Sequence, residues 1–331
     1  MDFLDVVLNI LSSGLPCCLL ALGIFLTYRL LDFADLTTEG SFLIGAATCG
    51  VMIYNGVNPW LATLVATASG FLCGLVTGFL NRFLKVPKLL SGIITMTATG
   101  SIALIIMGVQ NGASDIFMSQ VSFTNLITKG SPSQTIYSLF FPWKEYEGIY
   151  IVERPWGDII KVATMLGVVA IVMLAIYFFF GTEYGMAIRT TGMNEEMAKA
   201  QGINVDITTI ICIGIANMLI ALAGALFVQE AKTASLVTAN GYLVVGLASI
   251  IIGETIFGKR SFKNWLISVA LGAIVYYIII NIAIRLGFRT ELMSLLYAGL
   301  IAFAFCLPLI KRAILKAIAE KKSKNEANKD A

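Results

Sequence analysis

The stretch Gly181-Thr-Glu-Tyr-Gly185-Met-Ala-Ile-Arg189-Thr-Thr-Gly192-Met-Asn194-Glu195-Glu196-Met-Ala-Lys199-Ala-Gln-Gly202-Ile-Asn-Val-Asp206 is polar, and it lies between runs greasy enough to sit in lipid. A short helix with both ends marked can be read inside it. Asn194 is placed as its N-cap, because a side-chain oxygen there accepts an orphan backbone N–H. Glu195 and Glu196 fall in the first turn, where the positive end of the helix dipole favours carboxylates. Lys199 falls in the last turn, and Gly202 supplies a left-handed stop. Met193, Met197 and Ala200 recur at helical spacing and give the helix one apolar face. Helices below about 12 residues are marginal alone in water, so this one needs a surface to dock on.

Outward from this stretch, apolar runs near 20 residues read as transmembrane helices. They lie at about 6–27, a short run ending at 54, then 60–80, 89–108, 159–180, 207–228, 242–257, 265–284 and 292–310. The composition, 58% hydrophobic and 13% charged over 331 residues, is that of a membrane protein. The expected fold is an all-α polytopic membrane protein of about nine transmembrane helices. A membrane domain over 1–311 would hold two halves (6–108 and 207–310), an extracellular loop (109–155) and a cytoplasmic loop (181–206). A basic tail would follow over 312–331.

The charges orient this path. Arg29, Arg82, Lys85, Lys88, Arg189, Lys199, Lys259, Arg260, Lys263 and the tail put 16 of the 23 Lys and Arg on one side. By the positive-inside rule that side is cytoplasmic, with the N-terminus outside and the C-terminus inside. The chain has no histidine, which excludes a metal–histidine site or a histidine base. All six cysteines fall in apolar runs without ligand spacing and read as small hydrophobes. Acids in Met1-Asp-Phe-Leu-Asp5 stand where a signal peptide carries basic residues, so no cleaved leader is expected. Gly253-Glu-Thr-Ile-Phe-Gly258-Lys259 is followed by Arg260 where a phosphate-binding loop needs Ser or Thr, so no ATP site is expected here. The basic tail reads as an orientation and lipid-headgroup signal, with no nucleic acid as partner.

The two halves echo each other. Thr37-Thr-Glu-Gly40-Ser-Phe-Leu-Ile-Gly45-Ala aligns with Thr238-Ala-Asn-Gly241-Tyr-Leu-Val-Val-Gly246-Leu, and Trp60 aligns with Trp265. One copy enters its helix from inside and the other from outside, the pattern of inverted repeats whose broken or re-entrant segments bracket a translocation site. Thr37, Thr38, Glu39, Thr238 and Asn240 are therefore the candidate pathway residues. Glu39 has three readings: it lines the route, it pairs with Arg29, or it is a solvated charge of the headgroup layer. Gly70-x-x-x-Gly74-x-x-x-Gly78 puts three glycines on one helix face and reads as close helix packing.

Tyr184-Gly-Met-Ala-Ile-Arg189-x-x-Gly192-x-Asn194-x-x-x-Ala198-x-x-x-Gly202-Ile203 resembles the cytoplasmic loop of bacterial ABC importer permeases for branched-chain amino acids and ribose. Ala21-Leu-Gly-Ile-Phe-Leu-Thr-Tyr-Arg29-Leu-Leu-Asp32-Phe-Ala-Asp35-Leu-Thr-Thr-Glu39-Gly40 and Asn55-Gly-Val-Asn-Pro59-Trp60 narrow the resemblance to the tryptophan/tyrosine-type uptake permeases. Leu90-Ser-Gly-Ile-Ile-Thr-Met and Ile106-Met-Gly108 fit that branch, and the resemblance fades over 109–155. It implies a homodimer of permeases in the bacterial plasma membrane, two ABC ATPase subunits that bind the ATP, and a lipid-anchored or periplasmic substrate-binding protein. The chain itself would be no enzyme and hold no cofactor. The short helix becomes a coupling helix, with Arg189, Met193, Asn194, Glu195, Glu196 and Met197 as the ATPase contacts. Arg189 has an equal second reading, as a structural partner of Glu183 or the helix ends. The implied cargo is a small polar solute, an amino acid and by preference an aromatic one. The alternatives are a nucleoside or sugar, or a single-chain ion-coupled transporter.

Overall fold

Helix α1 (Phe3–Phe25) carries Pro16 in its interior and passes into one wide π-helical turn (Leu26–Leu30). The Leu31 N–H closes that turn on the Leu26 carbonyl at 3.2 Å. Asp32 then adopts a left-handed backbone (φ 51°), which short polar residues tolerate better than most, and the helix stops. The computed structural model from which this is read describes residues 3–108, 121–122, 136, 144–146, 149–151, 156–231, 233–234, 241–286, 299, 302 and 306.

After the break come α2 (Thr37–Tyr54), α3 (Pro59–Arg82) and α4 (Lys88–Ile106). Asn58 caps α3 by accepting the Trp60 N–H at 2.9 Å, with Pro59 in the first turn, where its missing N–H costs nothing. Then follow α5 (Trp156–Phe179), α6 (Glu183–Met193), α7 (Glu195–Ala200), α8 (Val205–Ala231), α9 (Tyr242–Phe257) and α10 (Phe262–Arg285). Ser261 caps α10. The expected all-α fold holds for the spans. Its exceptions are two short pairs, β1 (Val121–Ser122) with β4 (Thr233–Ala234), and the hairpin β2 (Lys144–Tyr146) with β3 (Ile149–Ile151).

Six helices among the described residues are long and apolar enough to cross a membrane: α1 with its π turn, α3, α4, α5, α8 and α10. Helix α9 has 16 residues and α2 has 18. At about 1.5 Å per residue both fall short of a hydrocarbon core of about 30 Å. The expected run at 292–310 and the tail lie outside the described residues.

Helix α8 is the hub, packed against α1, α2 and α3, while α9 pairs with α10, α4 lies on α2, and α5 on α1. Burial separates inside from outside: 83% of the apolar window of α1 and 67% of that of α8 are buried, against 28% for α4 and 22% for α5. The first two are interior helices and the last two face outward. Glycines set the spacing. Any Cβ on Gly70, Gly74 or Gly78 would collide with Asn217, Ala221, Ile213, Gly214 or Ile210 of α8. Small residues let helix backbones approach, so dispersion contacts are made along the full length. That stripe is a packing surface, as expected.

Candidate functional site

The break between α1 and α2 is held by a buried polar knot. Asp35, 4% exposed, accepts the Thr37 N–H at 2.8 Å and the Asn217 amide at 2.7 Å. The Thr37 and Thr77 hydroxyls meet at 2.7 Å, and Thr38 donates to the Asp35 carbonyl at 3.0 Å. Backbone groups freed where a membrane helix breaks must be satisfied by protein or by a wet cavity. Here Asp35 does so by capping the first turn of α2. Thr37 and Thr38 are fully buried and bonded within the chain in this conformation. Thr238 and Asn240 lie outside the described residues.

Glu39 does not pair with Arg29. Its carboxylate accepts the Gly241 N–H at 2.9 Å, at the mouth of α9, where orphan N–H groups and the helix dipole favour a negative charge. Gly241 takes a left-handed φ of 92°, which turns the chain into that helix. Arg29 is engaged elsewhere, by Glu254 at 2.7 Å. Directly beside Glu39 and Gly241 three aromatic rings converge. Phe42 stacks on Tyr242 with centroids 4.2 Å apart, and Phe227 packs against both at 5.7 Å. The helical register predicts none of this, because the partners lie about 200 residues apart in sequence.

Farther along α8, buried Gln229 donates to the Thr63 hydroxyl at 2.9 Å and accepts the Ile136 N–H at 2.9 Å. Sequence reasoning singled out Asp35, with Asp32 and Glu39, as a charge in need of a partner, but missed Asn217 and Gln229. The available signal was an isolated amide in an otherwise apolar span, since such groups need partners there.

In the polar loop the short helix forms as expected. Asn194 accepts the Met197 N–H at 3.0 Å, and Gly202 takes φ 79°. It spans only Glu195–Ala200 and is preceded by α6, which Thr182 caps. The apolar face expected of one helix is split across two: Met193, 88% exposed, ends α6, and Met197, 54% exposed, lies on α7, so both are open, while Ala198 seats α7 on the bundle. Glu196 is also exposed.

Two of the expected contacts turn inward instead. Glu195 forms a two-pronged pair with Arg82 at 2.8 and 3.1 Å, and Arg82 also donates to Thr209 at 2.9 Å. Those bonds hold the Glu195 carboxyl below its ordinary range; partial burial opposes them, and the charges of Arg82, Lys88 and Lys199 add to them. Arg189 does not pair with Glu183 but packs on a helix end: its guanidinium lies 3.6 Å from the ring centre of Phe262, the first residue of α10, and 5.8 Å from that of Phe180. Burial against these rings lowers its pKa. Arg189 therefore ties α6 to α10 by a cation–π contact. Beside it, Gly192 lies against the Leu30 carbonyl and Leu31, so the loop touches the end of α1 where that helix breaks.

A bundle of apolar spans, an interior helix broken and re-tied by buried polar groups, and an exposed capped helix at one end are the architecture of a multi-spanning membrane protein. The chain belongs to the family of the branched-chain amino acid transport system / permease component, whose sequence signature matches residues 6–305. It is 32% identical over 298 residues to the tyrosine transport system permease protein of Clostridioides difficile (strain R20291), covering 90% of each chain. It is 25% identical to the galactofuranose transporter permease protein YtfT of Escherichia coli (strain K12), over 81% of this chain and 69% of that one. Its fold is similar to that of a chain in an inward-facing ABC transporter described as metal-chelate type. The TM-score is 0.51 and the identity 17%, over 93% of this chain and 85% of that one. The protein is thus a multi-pass ABC transporter permease component.

Proposed function

We propose that this permease passes an amino acid, by preference an aromatic one such as tyrosine or tryptophan, through a bacterial plasma membrane as part of an ATP-driven importer. The observation that carries the aromatic reading is the Glu39 carboxylate beside the Phe42–Phe227–Tyr242 cluster, where the short helices α2 and α9 meet. A carboxylate attracts an ammonium group, and aromatic faces stack on an aromatic side chain. The tyrosine permease relative supports the same reading.

The permease family and the exposed helix support the rest of the machine. Two copies of the chain pair, ATPase subunits seat α7 through Met193 and Met197 in a groove, and a binding protein delivers the solute outside. ATP-driven closure of the ATPase pair then biases the bundle between outward-open and inward-open states. The C-terminus lies in the cytoplasm. The inverted-repeat reading is supported by helix lengths. Short α2 and α9 are each followed by a capped 24-residue helix, α3 and α10.

The galactofuranose permease relative favours a sugar as the second reading. Substrate-stimulated ATP hydrolysis separates the two. The complex, purified with its binding protein through a tag on this chain, is expected to respond to tyrosine or tryptophan and not to hexoses. Stimulation by a hexose alone overturns the aromatic reading.

A further inference from the structure

Arg29 and Glu39 stand ten residues apart on either side of the α1–α2 break, and each binds an end of the same short helix. Arg29 donates to Glu254 in the last turn of α9 at 2.7 Å, and Glu39 accepts from Gly241 at its first turn at 2.9 Å. Glu254 uses both oxygens, because the Trp265 indole N–H of α10 donates to the second at 2.8 Å. Trp265 in turn packs edge-on against Phe25 of α1, ring centres 4.7 Å apart. The segment between the two anchors is the one that Gly192 of the cytoplasmic loop abuts, at Leu30 and Leu31.

From this geometry we infer that the break is a strap fastened to both ends of α9, and that Glu254 is the positioning residue that makes α9 follow the cytoplasmic loop. The inference rests on the reading that the loop receives ATP-driven motion. Displacement at α6 and α7 reaches Leu30–Leu31 through backbone contact, which cannot stretch. The flanking anchors then pass it to α9 as a rigid element, and the mouth of α9 lies against Glu39 and the aromatic cluster. A strap with two discrete fastenings is the kind of contiguous physical link through which coupling between distant sites travels. Glu254 is one-tenth exposed while Arg29 is about one-third exposed, so the carboxylate is the fixed post and the guanidinium the moving partner.

The test uses the complex purified from its native membrane through a tag on this chain and placed in lipid nanodiscs. Cys306, exposed, is changed to Ser; the other five cysteines are buried and stay. Reporter thiols are placed singly at Ala34→Cys in the break and Ile256→Cys at the end of α9, both exposed positions. Labelling rates are compared with and without vanadate trapping of ATP. The parent is expected to change rate at both reporters. In Glu254→Gln, which still accepts the indole bond, reporter 34 should respond and reporter 256 lose its response. Assembly and basal ATP hydrolysis should stay at parental levels, which a merely structural role would not allow. A response retained at 256 in Glu254→Gln overturns the strap. So does a parent in which 34 responds and 256 does not, a comparison that needs no variant at Glu254. If neither reporter responds in the trapped parent, the coupling reading itself fails, and the strap with it.

Discussion

Glu195 and Gly192 sit three residues apart and face inward by different physics. The Glu195 carboxylate is held ionised by Arg82, so its pKa is lowered in the folded chain. A lowered carboxylate contributes stability that is fully present above the ordinary Glu value of about 4.3, and that is lost as pH falls through the folded value. The pair is partly solvent-screened, so its contribution is about 1 kcal/mol or less. Glu195→Gln should therefore lower the melting temperature slightly at pH 7, and the gap to wild type should narrow as pH falls below the ordinary Glu range; a gap that persists in strong acid contradicts the pairing. Gly192→Ala is harsher, because its methyl meets the Leu30 carbonyl and backbone gives little. Overpacking of this kind costs roughly 1–3 kcal/mol, and Gly192→Ala should melt earlier while Gly202→Ala, in open space, pays only for its left-handed backbone. The Asn217–Asp35 bond lies deeper. Asn217→Leu strips a buried acceptor of its donor, at a cost of about 1–3 kcal/mol, and Asp35→Asn combined with it should lose less than the sum in thermal unfolding.

Helices α7 and α3 mark what sequence can reveal at the scale of elements. The Asn194 cap, the Gly202 stop and the open face at Met197 were legible because capping and periodicity are local. The Gly70–Gly74–Gly78 stripe was legible as a packing face for the same reason, though not that its partner is α8. The partners of Glu39, Arg29 and Arg189 were not legible: each contact joins residues tens to hundreds of positions apart, and only the packed bundle brings them together. Local helix rules also gave no sign that α6 precedes α7 or that Glu195 points at Arg82. The element-scale prediction uses the open face. Met197→Asp adds a charge at a position 54% exposed in this chain, so folding and membrane insertion should be normal. In a dry ATPase contact the same charge costs several kcal/mol, on the order of that for burying an unpaired ion. Co-purification of the ATPase should fall sharply; normal recovery of the complex would remove α7 as the docking element.

Across the whole molecule the ion pairs gather by side. Arg29–Glu254 and Arg82–Glu195 lie among the basic segments expected in the cytoplasm, whereas Lys161–Glu230 lies at the opposite ends of its helices. With Cys306 changed to Ser, Gly56→Cys should react with an impermeant thiol reagent in intact cells, and Met193→Cys only after the membrane is opened. Reaction at 193 from outside would invert the topology. Interior α1 and α8 with outward-facing α4 and α5 form the membrane part, and on the proposed function the energy for transport enters through the exposed loop. The most direct measurement is uptake of labelled tyrosine into sealed vesicles, comparing the purified chain alone under a proton or sodium gradient with the assembled complex supplied with ATP. Uptake should require the complex, its binding protein and ATP, and the chain alone should move nothing. Gradient-driven uptake by the chain alone would contradict a permease that works only through its ATPase partner.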